Sequence, residues 1–227
     1  MPKDVLYVFV HITKTGGMTF KNLLEKNFTK EQIYRVFEFV KPFDSFHKNV
    51  NKDELLCING HFNLNFAESC GLFPGKTFHY FTLLREPVDR GLSFYYHQKR
   101  KRPELPPIPI WLENKNGVSY IERNNIMTKR LSSTVNPTRD DLELAKNNLL
   151  GMNFGFTEQF DEAVDGFQKT FPDVFKRMDY HKRNVNSDRV KKVDEPQEII
   201  DLVRKKNDLD VELYAFAKKL WKKKLKQ

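Results

Sequence analysis

The sequence predicts a single α/β domain in which a mainly parallel central sheet is flanked by helices. Apolar segments of strand length alternate with segments whose apolar residues recur at helical spacing, which is typical of that class. The first segment, VLYVFV, is wholly apolar and rich in β-formers, as expected for a strand covered on both faces. The length of 227 residues suits one domain over residues 1–227, with 20 phenylalanines available for its core.

Further strands are predicted after this first one. The weakest of them is QIYRVFEFV, and the complete set comprises residues 5–10, 32–40, 55–59, 78–84 and 152–156. Polar residues follow two of these strands directly: Gly60 and His61 in one case, Arg85 and Glu86 in the other. The polar ends of strands in a parallel sheet are where binding residues are expected.

Helices are predicted between and after the strands. The first follows the loop after residue 10, because Phe20, Leu23, Leu24 and Phe28 recur at helical spacing. Pro87 suits the first turn of another helix, where its missing N–H costs nothing. Later helical patterns cover residues 140–150 and 158–171, and a final stripe consists of Leu209, Leu213, Phe216 and Leu220.

The segment PELPPIPIW, residues 103–111, carries four prolines. Proline removes a backbone donor and clashes with the preceding turn in a helix interior. We therefore expect a stiff, extended connection here and not a regular helix.

The formal net charge of +9 and the pI of about 9.4 predict an anionic partner. Nucleic acid, an anionic polysaccharide, a membrane surface or a phosphorylated cofactor would each satisfy that charge. Cys57 and Cys70 are too few for a disulfide framework and show no metal-binding spacing, so no metal cofactor is expected and a reducing compartment is the default.

The apolar run Val5–Val10 is too short for a signal-peptide core or a membrane span. The chain as given is thus expected to lack a membrane span and to be cytoplasmic, and a Golgi-lumen location would require that an anchor had been removed. No feature of the sequence indicates an oligomeric state.

The loop HITKTGG, between the first strand and the first helix, resembles a phosphate-binding loop. A strand, a short loop and a helix N-terminus place backbone N–H groups at one point, where an anion can bind. When the Walker pattern is aligned on Lys14 and Thr15, its glycines should stand at positions that hold Val8 and Thr13. The glycines follow the lysine instead, so the loop is tighter than a nucleoside-triphosphate cradle and a Walker-type NTPase is disfavoured.

A second motif, REPVDRGLS, begins where the strand of residues 78–84 ends. Arg85 stands at the strand end, and Ser93 lies about two turns into the next helix on the same face as Arg90. If the two strands are neighbours, Arg85 and Ser93 can bind a second anion near the first. Such a pair of sites suits a nucleotide that carries phosphates at both ends of its ribose. Arg90 is interpreted as a structural residue.

Together, HITKTGGMTF and LLREPVDRGLSFYYH resemble the cofactor motifs of sulfotransferases that use 3'-phosphoadenosine 5'-phosphosulfate (PAPS). The likeness is closest to the heparan sulfate 6-O-sulfotransferases and less close to the 2-O enzymes. It continues through NNIMTKRLSS, NLLGMNFGFTEQF and DLDVELYAFAKKLW, and so covers most of the chain in order. The resemblance implies a P-loop-like sulfotransferase fold and an O-sulfotransferase activity with PAPS as donor, 3'-phosphoadenosine 5'-phosphate (PAP) as product and no metal.

The resemblance also implies roles for individual residues. Lys14 would stabilise the charge that develops on the bridging oxygen as the S–O bond breaks. Arg85 and Ser93 would hold the 3'-phosphate, for which the planar arginine fork is well suited. The 5'-phosphosulfate would be bound, mostly by backbone N–H groups, by Lys14, Thr15, Gly16, Gly17, Met18 and Thr19.

Two further parts of the site follow from the same resemblance. His61 occupies the position of the family's catalytic histidine and would be the general base, with His11 in support and Glu86 and His97 as weaker base candidates. A late loop, residues 181–192, would close over the cofactor and bring three residues to its phosphates: Arg183, Asn184 and Ser187.

The acceptor is expected to bear a hydroxyl group, and the resemblance implies a carbohydrate such as an anionic glycan, while a lipid, a small metabolite or a tyrosine side chain remains open. The basic run of residues 99–102 would then line its entrance. Nucleic acid is disfavoured because aromatic residues are not interleaved with the basic runs. Two alternatives remain open: a P-loop kinase of a small molecule, and a non-catalytic anion-binding module.

Overall fold

The computed structural model describes residues 2–37, 51–114, 120–177, 179–180 and 194–224. In this part of the chain, five strands form one sheet in the order β2-β3-β1-β4-β5, and all four pairings are parallel. The strands are β1 (Val5–Val10), β2 (Ile33–Phe37), β3 (Cys57–His61), β4 (Thr77–Leu84) and β5 (Asn153–Phe156). The predicted α/β class with a parallel sheet is confirmed.

Helices connect and cover the strands. In chain order they are α1 (Gly17–Asn27), α2 (Phe66–Ser69), α3 (Pro87–Lys101), α4 (Ile108–Glu113), α5 (Ile126–Ser132), α6 (Arg139–Leu150), α7 (Phe160–Thr170), α8 (Gln197–Lys206) and α9 (Asp208–Lys224). None of these helices is long and apolar enough to cross a bilayer.

The central strand β1 is fully covered, which explains its unbroken apolar sequence. On one face, Phe20 of α1 packs between the sheet and α7, with its ring centroid 4.5 Å from that of Phe9, 5.7 Å from that of Phe81 and 5.4 Å from that of Phe167. These aromatic contacts fix the start of α1 against the sheet. They therefore also fix the loop that joins β1 to α1.

A second apolar cluster holds α3, α4 and α8 together, with Trp111 buried at its centre. This cluster corrects one prediction. Residues 103–107 form neither helix nor strand, as expected, but a short helix begins at Ile108 with Pro107 as its N-cap. The prediction of an extended segment to residue 111 is wrong because prolines in the first helical turn lose no hydrogen bond, and burial of Trp111 stabilises the turn.

The end of β3 and the buried face of α9 also differ from the predictions. β3 extends to His61, so this histidine is the last residue of a strand and not the first residue of a loop. On α9, Leu209 and Leu213 of the predicted stripe are buried, Phe216 and Leu220 are only partly buried, and the fully covered positions that continue the stripe are Ala217 and Trp221. Residues 38–40 of the predicted second strand lie outside the described residues.

The strand order places β1 between β3 and β4. Because the three strands are parallel, their carboxyl ends meet at one edge of the sheet. The loop after β1, the end of β3 and the residues after β4 are thereby brought together, which is the adjacency that the two-anion interpretation requires.

Candidate active site

The loop between β1 and α1 is held in an unusual backbone conformation. Lys14 and Gly16 have positive φ angles of 70° and 84°, respectively. The buried Thr15 hydroxyl donates to the Ile12 carbonyl at 2.8 Å, so it braces the loop from inside. Gly16 is the N-cap of α1 and supplies no side-chain cap to its first turn. The loop therefore presents backbone N–H groups and the positive end of the helix dipole at one point, as anion binding requires.

Gly17 is needed because the ring of His11 lies against its backbone. A Cβ atom at this position would stand 1.9 Å from His11 Nε2, so no larger residue fits without moving the imidazole. His11 itself is buried, and its ring packs against those of Phe9 and His61 with centroid distances of 5.7 and 4.1 Å. The loop and the His61 side chain are thus linked through His11.

His61, at the carboxyl end of β3, has a defined orientation. Its Nδ1 lies 2.8 Å from the His11 carbonyl oxygen, which can only accept a hydrogen bond. Nδ1 therefore carries the proton in the neutral ring, and Nε2 keeps a lone pair. Burial lowers the His61 pKa below 6.5, Glu122 and the His11 carbonyl oppose that change, and Arg130 and Arg35 reinforce it. The ring is consequently neutral near pH 7, as a general base must be.

Arg85 joins the two motifs found in the sequence. It follows β4 directly, is largely buried, and donates from Nη1 to the Lys14 carbonyl oxygen at 3.0 Å. Ser93 is partly exposed on α3. Arg90 is fully buried and donates to the carbonyl oxygens of Glu122 and Arg123 at 2.6 and 2.5 Å, which fits the structural role assigned to it.

The weaker base candidates have different surroundings. Glu86 caps α3, because its carboxylate accepts from the Asp89 N–H at 2.8 Å. Burial, followed by the charges of Lys14, Lys101 and Arg100, lowers the His97 pKa to about 4. His97 is therefore neutral and lies within electrostatic range of the loop lysine.

The predicted basic entrance is changed by local contacts. The Lys99 ammonium donates to the Leu105 carbonyl, and the Arg102 guanidinium donates to the Gln98 side chain. These two cations stabilise the end of α3, as basic residues at a helix C-terminus commonly do. Arg100 and Lys101 are the members of the run whose charges reach His97.

The predicted closing-loop residues Arg183, Asn184 and Ser187 lie outside the described residues. In the parts of the chain that are described, no group of three or more His, Cys, Asp or Glu side chains is arranged to hold a metal ion. A cavity of about 310 Å³ lies elsewhere, between α2, α6 and the start of β5, with Tyr80 and Met152 among its lining residues.

Two charged residues that the sequence analysis missed lie buried at the site. Glu122 accepts from the Thr13 hydroxyl and, at 2.5 Å, from Arg130 Nη2, and both charged side chains are about 95% buried. Arg130 Nη1 donates to Asn63 Oδ1 at 3.1 Å. Glu122 lies in a connecting segment outside the motifs found in the sequence, and Arg130 lies on a short helix within NNIMTKRLSS, a segment of the resemblance in which it was given no role of its own. The Glu-x₇-Arg spacing alone carries no signal.

Comparisons with known proteins show the family of the chain. A family profile described as "Sulfotransferase family" matches residues 2–217. Heparan-sulfate 6-O-sulfotransferase 1 of Cricetulus griseus and that of Homo sapiens are each 30% identical to the chain over 280 aligned positions, which cover 97% of the chain and 68% and 66% of the two relatives. Heparan-sulfate 6-O-sulfotransferase 2 of Homo sapiens is 29% identical, and the aligned part covers 45% of that protein. The chain thus spans from under half to about two thirds of these relatives' lengths.

Among solved structures, the comparison found the mouse sulfotransferase SULT7A1 complexed with PAP. The similarity covers 89% of the chain and 63% of that structure, with 12% sequence identity and a TM-score of 0.43.

Proposed function

This chain belongs to the sulfotransferase family, and from that premise we propose that it transfers the sulfuryl group of PAPS to a hydroxyl group of an anionic carbohydrate. The observation that carries the proposal is the hydrogen bond from Arg85 Nη1 to the Lys14 carbonyl at 3.0 Å. This contact joins the two motifs that we propose bind anions, and it lies at the sheet edge where β3 ends in His61, which supports the proposal. One bisphosphorylated nucleoside can then span both motifs with its sulfuryl end towards a base.

The residues present fit such a donor. Backbone N–H groups at the start of α1 and the Lys14 ammonium would hold the 5'-phosphosulfate, and Arg85 with Ser93 would hold the 3'-phosphate. The positive φ of Gly16 turns the backbone into the first turn of α1, and the missing Cβ of Gly17 makes room for the His11 ring behind the loop. The bound donor would supply an activated sulfuryl group whose leaving group is a phosphate.

The base would be His61, because its surroundings select the tautomer whose Nε2 is unprotonated. Nδ1–H donates to the His11 carbonyl, so the Nε2 lone pair is available for the proton of an acceptor hydroxyl. As the acceptor oxygen forms its bond to sulfur, its O–H bond breaks and the proton passes to Nε2. The electron pair of the bridging S–O bond leaves with the phosphate, where Lys14 stabilises the charge.

The carbohydrate acceptor is proposed from the named activity of the relatives and from charge. Heparan sulfate is an anionic glycan, and the chain carries a net charge of +9. Arg100 and Lys101, whose charges reach His97 beside Lys14, would attract such an acceptor.

Two measurements test the proposal. PAP should raise the melting temperature markedly, and ATP with magnesium should raise it little. The reverse preference would favour a small-molecule kinase. In the second measurement, the protein is incubated with labelled PAPS and one of a panel of three acceptors: heparan sulfate, desulfated heparin or a neutral glycan. Mass spectrometry should detect added sulfo groups on the anionic acceptors. Binding of PAP without transfer to any member of the panel would contradict a carbohydrate acceptor.

A further inference from the structure

The buried charged pair at the site forms a continuous hydrogen-bonded connection between two functional segments. The Thr13 hydroxyl, next to Lys14 in the donor loop, donates to one carboxylate oxygen of Glu122. The other oxygen accepts from Arg130 Nη2 at 2.5 Å, and Arg130 Nη1 donates to Asn63, two residues after His61. One carboxylate therefore ties the donor loop to the segment that carries the proposed base.

The position of Glu122 is itself fixed from a third direction. Arg90 of α3 donates to the Glu122 carbonyl oxygen at 2.6 Å, and α3 is the helix that follows Arg85. Lys129 Nζ donates to the neighbouring Ile121 carbonyl at 3.0 Å. A carboxylate held this firmly in a buried position keeps its charge at a constant distance from the groups around it.

A buried ion pair between apolar layers gives little or no net stabilisation, because desolvation offsets the attraction. Its presence beside the proposed base is better explained by an electrostatic role. Glu122 raises the His61 pKa against the effect of burial. Burial opposes the lowering of the Glu122 pKa, which is due first to Arg130 and the Thr13 hydroxyl and then to His61. Each charged form is thus favoured by the other.

We propose that Glu122 is a positioning residue for sulfuryl transfer, which holds the donor loop and His61 in one arrangement and stabilises the imidazolium that His61 becomes when it takes the acceptor proton. This inference rests on the proposed function, in which His61 is the base. Arg130 has the opposite electrostatic effect on His61 and serves to fix the Glu122 carboxylate. The pair therefore sets the basicity of His61 by a balance of two opposed charges.

Several charged groups interact electrostatically with His61 and Glu122. Arg130 of α5, Arg35 of β2 and Glu122 itself act on His61, whose ring also contacts His11. The Glu122 charge acts in turn on Arg90 of α3 and Lys129 of α5. Buried Asp210, which is also an acid, acts on Arg90 and Lys129 as well. Among the described residues whose charges act on His61, Glu122 is the negative one, so its removal leaves His61 among cations.

The test uses opposite substitutions in the full chain. Glu122→Gln should lower the His61 pKa and move the acid limb of kcat about 1 pH unit downward, since one opposite charge is lost. Arg130→Gln should move the same limb upward, and the double variant should lie between the two. A merely structural role would lower activity in both variants without moving the limb in opposite directions.

An independent readout is the NMR titration of His61 in protein with ¹³C-labelled histidine, assigned with His61→Gln. Glu122→Asp should move the acid limb of the kcat–pH profile in the same direction as Glu122→Gln but by less. It replaces the glutamine variant in the test if that variant does not fold. Glu212→Gln, in the exposed pair with Arg139, is the matched control and should leave the profile unchanged.

The outcomes separate the two proposals. If His61→Gln retains turnover, the proposed base is wrong and the inference falls with it. If turnover depends on His61 but neither the acid limb nor the NMR titration responds to Glu122→Gln or Glu122→Asp, the inference alone is overturned.

Discussion

Arg85, at the end of β4, donates a hydrogen bond from Nη1 to the carbonyl oxygen of Lys14 in the loop after β1, at 3.0 Å. Seventy-one positions separate the two residues along the chain. The contact exists because β1 and β4 are parallel neighbours, so that their carboxyl ends coincide. It means that Arg85 both shapes the loop and stands beside it as a cation.

Substitution of Arg85 should weaken binding of the nucleotide. Arg85→Ala is expected to raise the PAP dissociation constant by roughly one to two orders of magnitude, because a charge-assisted contact contributes about 1.5–3 kcal/mol. Isothermal titration calorimetry provides the measurement. Arg204→Ala, in an exposed pair with Asp201, serves as the control and should bind PAP normally. An unchanged isotherm for Arg85→Ala would remove the residue from the 3'-phosphate site.

His61 should be essential for turnover but not for nucleotide binding. His61→Ala is expected to abolish sulfuryl transfer, since no group would accept the hydroxyl proton, while PAP affinity stays within a few-fold of the parent value. His79→Gln on β4 is the control, because this histidine packs against Tyr7 and Phe171 in a different part of the sheet. Equal loss of PAP binding and turnover in His61→Ala would indicate a structural role.

The buried His11 should make stability depend on pH. Burial, followed by the charges of His61, Arg35, Lys14 and Arg130, holds its pKa well below 6.5 in the folded state. Between that depressed pKa and 6.5 the unfolded chain binds the proton more readily, so the free energy of unfolding must fall as pH decreases below 6.5.

The contribution of His11 is about 1.4 kcal/mol per pH unit for one proton. Urea denaturation at pH 7.0 and at successively lower values checks it. His11→Gln should be less stable at pH 7 but should lose stability less steeply on acidification. The pKa values of His61 and His97 are also lowered, so the unfolding free energy of His11→Gln will still depend on pH to some extent. Identical slopes for the two proteins would show that His11 does not titrate as proposed.

Gly17 should tolerate no side chain while His11 is present. In Gly17→Ala the new Cβ would lie 1.9 Å from His11 Nε2, so the imidazole must move. We expect a loss of about 1–3 kcal/mol in unfolding free energy, together with weakened PAP binding.

Calorimetry of a double-mutant set checks this steric cause. Gly17→Ala should destabilise the His11→Ala background much less than the parent, because the clash is then absent. Gly166→Ala is the control. Gly166 lies in α7, and a Cβ atom there would come no closer than 3.8 Å to Trp221, so this substitution should leave the unfolding free energy unchanged or raise it slightly. Additive losses in the double variant would contradict the clash.

Much of the fold could be predicted from sequence patterns that involve residues close together in the chain. The apolar β1, the helical spacing of Phe20 and Leu24, and Pro87 at a helix start each depend on neighbours within a few residues, and each prediction is confirmed. The segment around Pro107 was misjudged because proline is compatible with a first helical turn when burial of a residue such as Trp111 stabilises that turn.

The site divides in the same way. The Lys14 loop and the Arg85 motif were visible because each is a contiguous strand-end segment with its own chemistry. The roles proposed for Glu122 and Arg130 were not visible, since their contacts depend on the packing of α5 and the segment before it against the loop. A lone glutamate and a lone arginine in sequence are most often solvated surface residues.

By itself, then, the sequence determined the class of fold, the family resemblance and the two motifs that are proposed to bind anions, because periodicity and contiguous motifs encode local conformation. Only the tertiary structure decided that β1 lies between β3 and β4, that His61 Nδ1 faces the His11 carbonyl, and that Glu122 joins Thr13 to Arg130. The physical reason is that hydrogen bonds and pKa values depend on distances and burial between segments far apart in the chain, and packing alone sets those distances.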